Sequence, residues 1–170
     1  MSQIEPPPLS VHAAIAAKRA VRSYRDEPVP EPVIRAILDS GRRAQSSKNS
    51  QPWVFIVVQE REQLRKLAGT GLYANHVPNS AFTVVLVAPA TNEFDLGQAA
   101  AYLQLAALEH GVGSCVIVLH DHDAARAILG VPPELSCRWA ITFGYPAEAL
   151  GAPKLGGRKP LSEVIRDEHY

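Results

Sequence analysis

The sequence predicts an α/β layer fold, one sheet covered by helices on both faces, and two observations carry that prediction. Segments with apolar residues at helical spacing alternate with short, almost continuous apolar runs such as "WVFIVVQ" (53–59) and "FTVVLVA" (82–88), the pattern of strands buried on both sides. At 170 residues the chain also suits one domain, large enough to build a core without disulfide or metal.

The elements follow in order. Residues 1–9, "MSQIEPPPL", read as a flexible Pro-rich leader, and 10–170 as the single domain. Ser10 is an N-cap candidate for a helix from Val11 to about Arg19, with Val11, Ala14, Ile15 and Lys18 at helical spacing. A second helix is expected from Glu31 to Arg43, where Val33, Ile34, Ile37 and Leu38 form one stripe and Pro32 suits the first turn. The run at 53–59 is the first strand, "REQLRKLAG" (61–69) a short helix and 82–88 the second strand. Residues 95–111, "DLGQAAAYLQLAALEHG", are apolar on nearly every side, so this long helix is expected to be buried all round, with Gly111 past its end. "GSCVIVL" (113–119) is a third strand, "DAARAIL" (123–129) a helix, "RWAITFGYP" (138–146) a fourth strand and "LSEVIRDE" (161–168) a terminal helix on an extended C-terminal arm.

Composition narrows the function. Lys and Arg balance Asp and Glu at 17 each, so no global basic field argues for nucleic acid or an anionic membrane. Cys115 and Cys137 lack CxxC spacing and read as reduced thiols, with Cys115 in core packing. The longest apolar run, 99–108, is too short to span a bilayer, and the N-terminus lacks a signal peptide's regions, so a soluble cytoplasmic protein is expected. No GxGxxG, P-loop, HExxH or GxSxG is present, and His120-Asp121-His122 is too tightly spaced for a zinc site, so no metal is expected.

Four stretches could carry chemistry. Lys18, Arg19, Arg22 and Arg25 follow the first helix; they are either a solvated face that complements its dipole or inward-aimed donors for a phosphate monoester. "AQSSKNSQPW" (44–53) is either a surface turn or a polar loop pinned by Pro52-Trp53 to present Ser46, Ser47, Asn49, Ser50 and Gln51 to a ligand. In "GVGSC" (111–115), Gly111 is explained as a helix cap, while Gly113 either eases the turn or lets a flat ligand approach the backbone. Finally, "FGYP" (143–146) leads into a Gly-rich arm ending in Arg158 and Lys159, cations that could complete a phosphate site begun elsewhere.

Taken together, "KRAVRSY" (18–24), "AQSSKNSQPW", "GVGSC" and "FGYP" with "RKPL" (158–161) resemble the motifs of the FMN-dependent nitroreductase family over about residues 10–164. The resemblance implies a nitroreductase-like fold with a central mixed β-sheet flanked by helices. It also implies a homodimer with FMN at the interface. Lys18, Arg19, position Ala20 and Arg158 would hold the ribityl phosphate, and Arg22 would lie near the flavin N1 and O2 edge, where a cation stabilises the anionic reduced ring. The backbone of Ile117, Val118 and Leu119 would face the N5 side, residues 73–76 the pyrimidine ring, and Ser46, Ser47 and Asn49 would reach FMN held mainly by the partner chain. The implied activity is hydride transfer from NADH or NADPH through flavin N5 to a small acceptor such as a nitroaromatic, a quinone or free flavin. The alternative is a flavin-sequestering protein without turnover. Ala20 replaces the family's usual Ser, Gln45 its usual Pro, the Trp after the GLGS segment is absent, and the insertion that roofs the flavin in larger members is missing between Ala88 and Asp95.

Overall fold

The computed structural model describes residues 10–149 and 157–170; the expected leader and residues 150–156 of the expected arm lie outside the described residues. Helix α1 (Val11–Ala17) starts where the Ser10 hydroxyl accepts a hydrogen bond from the Ala13 amide at 3.1 Å. Helix α2 (Glu31–Arg42) buries Ile34 and Ile37 of the expected stripe. The remaining elements are β1 (Val54–Val58), α3 (Arg61–Ala68), β2 (Phe82–Ala88), α4 (Glu93–Glu109), β3 (Gly113–Val118), α5 (His122–Leu129), β4 (Ser136–Gly144) and the short α6 (Leu161–Val164).

The strands form one sheet in the order β1-β2-β4-β3. Side chains alternate across its centre, as the strand period requires. Phe82, Val84 and Leu86 of β2 join Ile141 and Phe143 of β4 beneath α2 and α4, and Val85, Val87 and Ala140 join Ile117 of β3 beneath α3 and α5. The sheet is therefore covered on both faces, which is why β2 is buried at every position.

Two expectations are corrected. The expected mixed sheet pairs antiparallel at all three strand junctions, and its parallel component is a single bridge between Ala20 and Ser114. The reason lies in the connections. After α3, the 69–81 loop brings the chain back to the end of the sheet it left, so Val58 pairs with Thr83; after α5, the chain likewise returns so that Val118 pairs with Trp139. Apolar periodicity reports burial but not strand direction. Helix α4, expected to be buried all round, buries Leu96, Ala99, Leu103 and Ala107 along one face, while Phe94 is 81% and Tyr102 42% exposed on the other. Among the described residues no helix is long and apolar enough to cross a membrane.

Residues 20–25 dock on the ends of β3 and β4. The Val21 amide donates to the Ser114 carbonyl at 2.9 Å, the Arg25 amide to the Tyr145 carbonyl at 2.9 Å, and the Ala147 amide to the Ser23 carbonyl at 3.0 Å. Two glycines make this approach possible. A Cβ on Gly113 would lie 2.7 Å from Val21 Cγ2, and one on Gly144 would lie 2.8 Å from Tyr24 Cδ1. Gly113 thus answers neither sequence reading: the close approach it permits is that of the chain's own Val21. Inside, the Tyr24 hydroxyl donates to the Val21 carbonyl at 2.5 Å and sits 2.7 Å from the Thr142 hydroxyl, which reaches the Cys115 carbonyl at 3.2 Å.

Gly113→Ala is expected to destabilise the protein by about 1–3 kcal/mol, because the branched Val21 cannot rotate out of the way. Adding Val21→Ala should recover part of that loss, with a coupling of at least about 0.5 kcal/mol in a urea-denaturation double-mutant cycle. Strictly additive effects would mean that the two side chains do not compete for the same space.

Candidate functional site

The docked segment carries the cations to the edge of β3. Lys18 caps the C-terminal end of α1 and is partly buried. Burial holds its ammonium pKa below the usual value; the neighbouring Cys115 opposes that shift, and the charges of Arg22 and Arg158 add to it. Burial likewise pushes the Cys115 thiol up, against the pull of Arg22 and Lys18. These four side chains therefore share one neighbourhood, which includes Arg158 of the C-terminal arm. Arg19 turns its Nη1 back to the Ala16 and Lys18 carbonyls at 2.7 and 3.0 Å, while its buried Nε has no acceptor. Ala20 is exposed beside its bridge to Ser114. Among the described residues none of Lys18, Arg19, Arg22 or Arg158 pairs with a carboxylate, although eight ion pairs form elsewhere.

The expected flavin-facing strand residues lie on the same edge strand. Ile117 and Leu119 point their side chains into the core, and the Leu119 amide is spent on the Arg138 carbonyl at 2.8 Å. The Val118 carbonyl is approached by Gly71, where a Cβ would come within 2.8 Å. The 69–76 loop is thus packed on the end of β3. Its Leu72 amide donates to His120 Nδ1 at 3.2 Å, and Tyr73, 80% exposed, meets the His120 ring edge-on at 6.4 Å. His76 is buried with its Nε2 lacking a partner. Its pKa is lowered by burial and then by the charge of Arg22, so His76 feels the field of the cationic segment. Sequence reading named 73–76 only as a block and missed Cys115 as a neighbour of Arg22. The signal was absent: the contact depends on Ala20 bridging to Ser114, which no spacing reports.

The polar loop lies elsewhere in the chain. Ser47–Asn49 form a 3-10 turn whose Lys48 and Asn49 have φ of 54°, followed by Gln51 at 47°. Asn visits this left-handed region readily; Lys and Gln do so at a cost of roughly 1–2 kcal/mol each. The Ser46 hydroxyl accepts from the Gln51 amide at 2.9 Å and closes the turn, and Gln98 Nε2 donates to the Gln45 carbonyl at 3.4 Å. The loop is therefore tied to the N-terminal half of α4, whereas the cations sit by Ser114, beyond its other end. Gln98 and Glu109 are separated by about 16 Å of helix rise. One chain does not bring Ser46, Ser47 and Asn49 to Lys18 and Arg22. Between α4 and the β3–β4 face runs an apolar groove of about 340 Å³, lined by Leu96, Ala100, Val116 and Trp139, into which Gln104 also faces. Gln104 Oε1 is buried without a partner.

Comparison with known proteins gives this arrangement a family. A model described as the nitroreductase family matches residues 15–85 and 71–145. An NADH dehydrogenase from Thermus thermophilus is 30% identical over 94% of this chain and 96% of its own. The nitroreductase NfnB of Mycolicibacterium smegmatis is 27% identical over 89% and 90%. Among solved structures, an FMN-dependent nitroreductase from Clostridium difficile superposes with a TM-score of 0.79 at 26% identity, covering 92% of this chain and 98% of that one. The NADPH:FMN oxidoreductase of Vibrio harveyi complexed with NAD+ shares the fold at a TM-score of 0.84 and 21% identity, over 92% and 76%.

His76 supplies a pH signature of this site. Its folded pKa lies below the unfolded value, so in the interval between the two the unfolded chain binds a proton that the folded chain does not. Stability is then undiminished above about pH 6.5 and falls as pH drops towards and through the folded pKa. His76→Gln is expected to flatten the stability–pH curve below about pH 6.5, measured by urea denaturation at a series of pH values. An unchanged slope would mean that His76 titrates as a free imidazole.

Proposed function

Because the chain belongs to the nitroreductase family, we propose that it is an FMN-dependent, NAD(P)H-consuming oxidoreductase that passes hydride to a small acceptor such as a nitroaromatic, a quinone or free flavin. One observation carries the reading to this chain's own residues: three cations and the orphaned Arg19 Nε gather at one strand edge, and none of them is ion-paired with a carboxylate among the described residues. That donor set fits a phosphate monoester, which carries nearly two negative charges and needs several charge-assisted hydrogen bonds.

The fit divides the labour. Lys18, Arg19 and Arg158 would hold the ribityl phosphate, with the exposed backbone at Ala20 beside them. Arg22 would set a positive charge at the N1 and O2 edge, and buried His76, kept neutral by its surroundings, offers a free ring nitrogen in the same neighbourhood. Of Ile117 to Leu119, whose side chains are turned inward or packed by the 69–76 loop, the Leu119 amide is spent on Arg138 and the Val118 carbonyl is packed by Gly71, so the backbone offered to the ring would centre on the Val118 amide. The chemistry FMN supplies when bound is two-electron transfer at N5, which asks no protein group to act as acid or base. The loop of Ser46, Ser47 and Asn49, strained, exposed and remote from its own chain's cations, would serve the site of a second copy, and the exposed apolar face of α4 offers the surface for such a homodimer. The relatives from Thermus thermophilus and Mycolicibacterium smegmatis are named as enzymes, a dehydrogenase and a nitroreductase, so a flavin store without turnover is the less favoured reading.

Purified protein should be yellow and should oxidise NADH or NADPH; protein that stays colourless after incubation with FMN would overturn the proposal. Arg158→Ala is expected to weaken FMN binding about tenfold or more while leaving the unfolding midpoint unchanged. Arg22→Ala should lower the midpoint potential of the bound flavin by tens of millivolts, since about 30 mV corresponds to 1.4 kcal/mol for two electrons. An unchanged potential with intact binding would return Arg22 to a solvated surface. Sedimentation at micromolar concentration should show a dimer, and an FMN-loaded monomer would exclude the shared site.

A further inference from the structure

A polar cleft of about 470 Å³ opens beside Arg22, between the 22–26 segment, helix α3 and the 77–79 turn, and its lining includes Arg22, Ser23, Asp26, Arg61, Arg65 and Asn79. Three guanidiniums face one carboxylate there. Asp26 is 99% exposed and meets only Arg61, at 3.4 Å, a long and solvent-screened pair. Arg61 is fixed in place, because its Nη1 donates to the Pro78 and Ser80 carbonyls at 2.9 and 2.7 Å and braces α3 against the 77–79 turn. Arg65 lies one helical turn further on the same face of α3 and makes no ion pair among the described residues; the nearby Glu62 is engaged by Lys66 at 2.8 Å. Like charges four residues apart on a helix repel. Elsewhere the protein handles such charges with local carboxylates: Arg42 and Arg43 share Asp39, and Arg35 takes Glu31. Here it leaves two positive charges in excess around a cavity of small-molecule size.

We infer that this cleft is the subsite for the phosphate groups of the nicotinamide dinucleotide donor, an inference that rests on the FMN reading through the shared residue Arg22. All three cations are Arg, whose planar forks match phosphate oxygens in pairs, and two excess charges match a diphosphate bridge. A carboxylated acceptor would ask for one fork. A dinucleotide is also the reactant with charge far from its reacting ring, so it can engage a cleft beside the flavin site while its nicotinamide lies within that site.

The test uses Arg65→Ala, a residue outside the proposed flavin contacts, in the FMN-loaded protein. KM for NADH and NADPH should rise about tenfold, the loss of one charge-assisted contact, with kcat and flavin content unchanged. KM for N-benzyl-1,4-dihydronicotinamide, a hydride donor without phosphate, should not move. A rise for NADPH alone would assign the cleft to the 2′-phosphate, and a rise for both donors to the diphosphate. Calorimetric titration with 2′-phospho-ADP-ribose should show the same loss of affinity and a marked salt dependence. The inference is overturned by unchanged donor KM and unchanged titration, by an equal rise for the benzyl analogue, or by an effect confined to a carboxylated acceptor such as 4-nitrobenzoate. The titration needs no flavin, so it still reads the cleft if the protein takes up no FMN, whereas a yellow, active protein indifferent to Arg65→Ala sinks this inference alone.

Discussion

The site depends on residues 20–25 lying flat on the ends of β3 and β4. This segment belongs to no helix or named strand and is held by two isolated bridges, so its position is set mainly by what it buries. Val21 and Tyr24 are 6% and 9% exposed, each seated over a glycine, and full burial of side chains of this size is worth about 1.5–3 kcal/mol. Burial also drives the Tyr24 phenol well above its usual pKa, with the Thr142 hydrogen bond opposing the shift, so the hydroxyl remains a donor to the Val21 carbonyl at any physiological pH. Apolar anchoring at 21 and 24 is what leaves positions 18, 19 and 22 free to be cationic. A segment anchored by ion pairs would have used up those charges.

The distribution of charge separates a structural pattern from a functional one. Arg35, Arg42 and the capping Arg43 of α2 and Lys66 of α3 answer carboxylates three or four residues away, the ordinary arrangement of a solvated helix face. Around β3 the arrangement reverses. Lys18 is partly desolvated and flanked by Arg22 and Arg158, so folding works against its charge. An anion placed there relieves both desolvation and mutual repulsion, which makes ligand affinity the counterpart of a local destabilisation. The loop at Lys48, Asn49 and Gln51 has the same character in backbone form, since it keeps left-handed residues that a plain turn would replace with glycine.

What was legible in the sequence follows from which physical signal each feature leaves. The stripe of α2 and the continuous run of β2 are visible because burial on one or both faces imposes a period, and both elements stand within a residue of their expected bounds. Strand direction leaves no such trace, so the antiparallel sheet could not be read. The apolar girth of α4 reports that it is covered, not by what, and a single chain covers only one face. Gly113 announces a close approach without naming the visitor, which proved to be Val21 from almost a hundred residues earlier. Motif resemblance brought Lys18, Arg22 and Arg158 together, while Cys115 and the Nε2 of His76 emerge only once the segment is docked.

The physical separation within the chain has a thermodynamic consequence. The cations gather beside Ser114, and the strained polar loop is tied to Gln98 about 16 Å of helix rise short of the other end of α4. A site that uses both groups must draw them from two copies. In the proposed shared site, linkage would make flavin affinity and subunit affinity reciprocal: whatever free energy the second copy's loop added to flavin binding, the flavin would add equally to association. The same coupling assigns the cost of the left-handed residues at 48, 49 and 51. Their strain is already present in the folded chain, so in the proposed site it would not have to be met again on binding, and preorganisation of this kind raises affinity by lowering the ordering cost of binding.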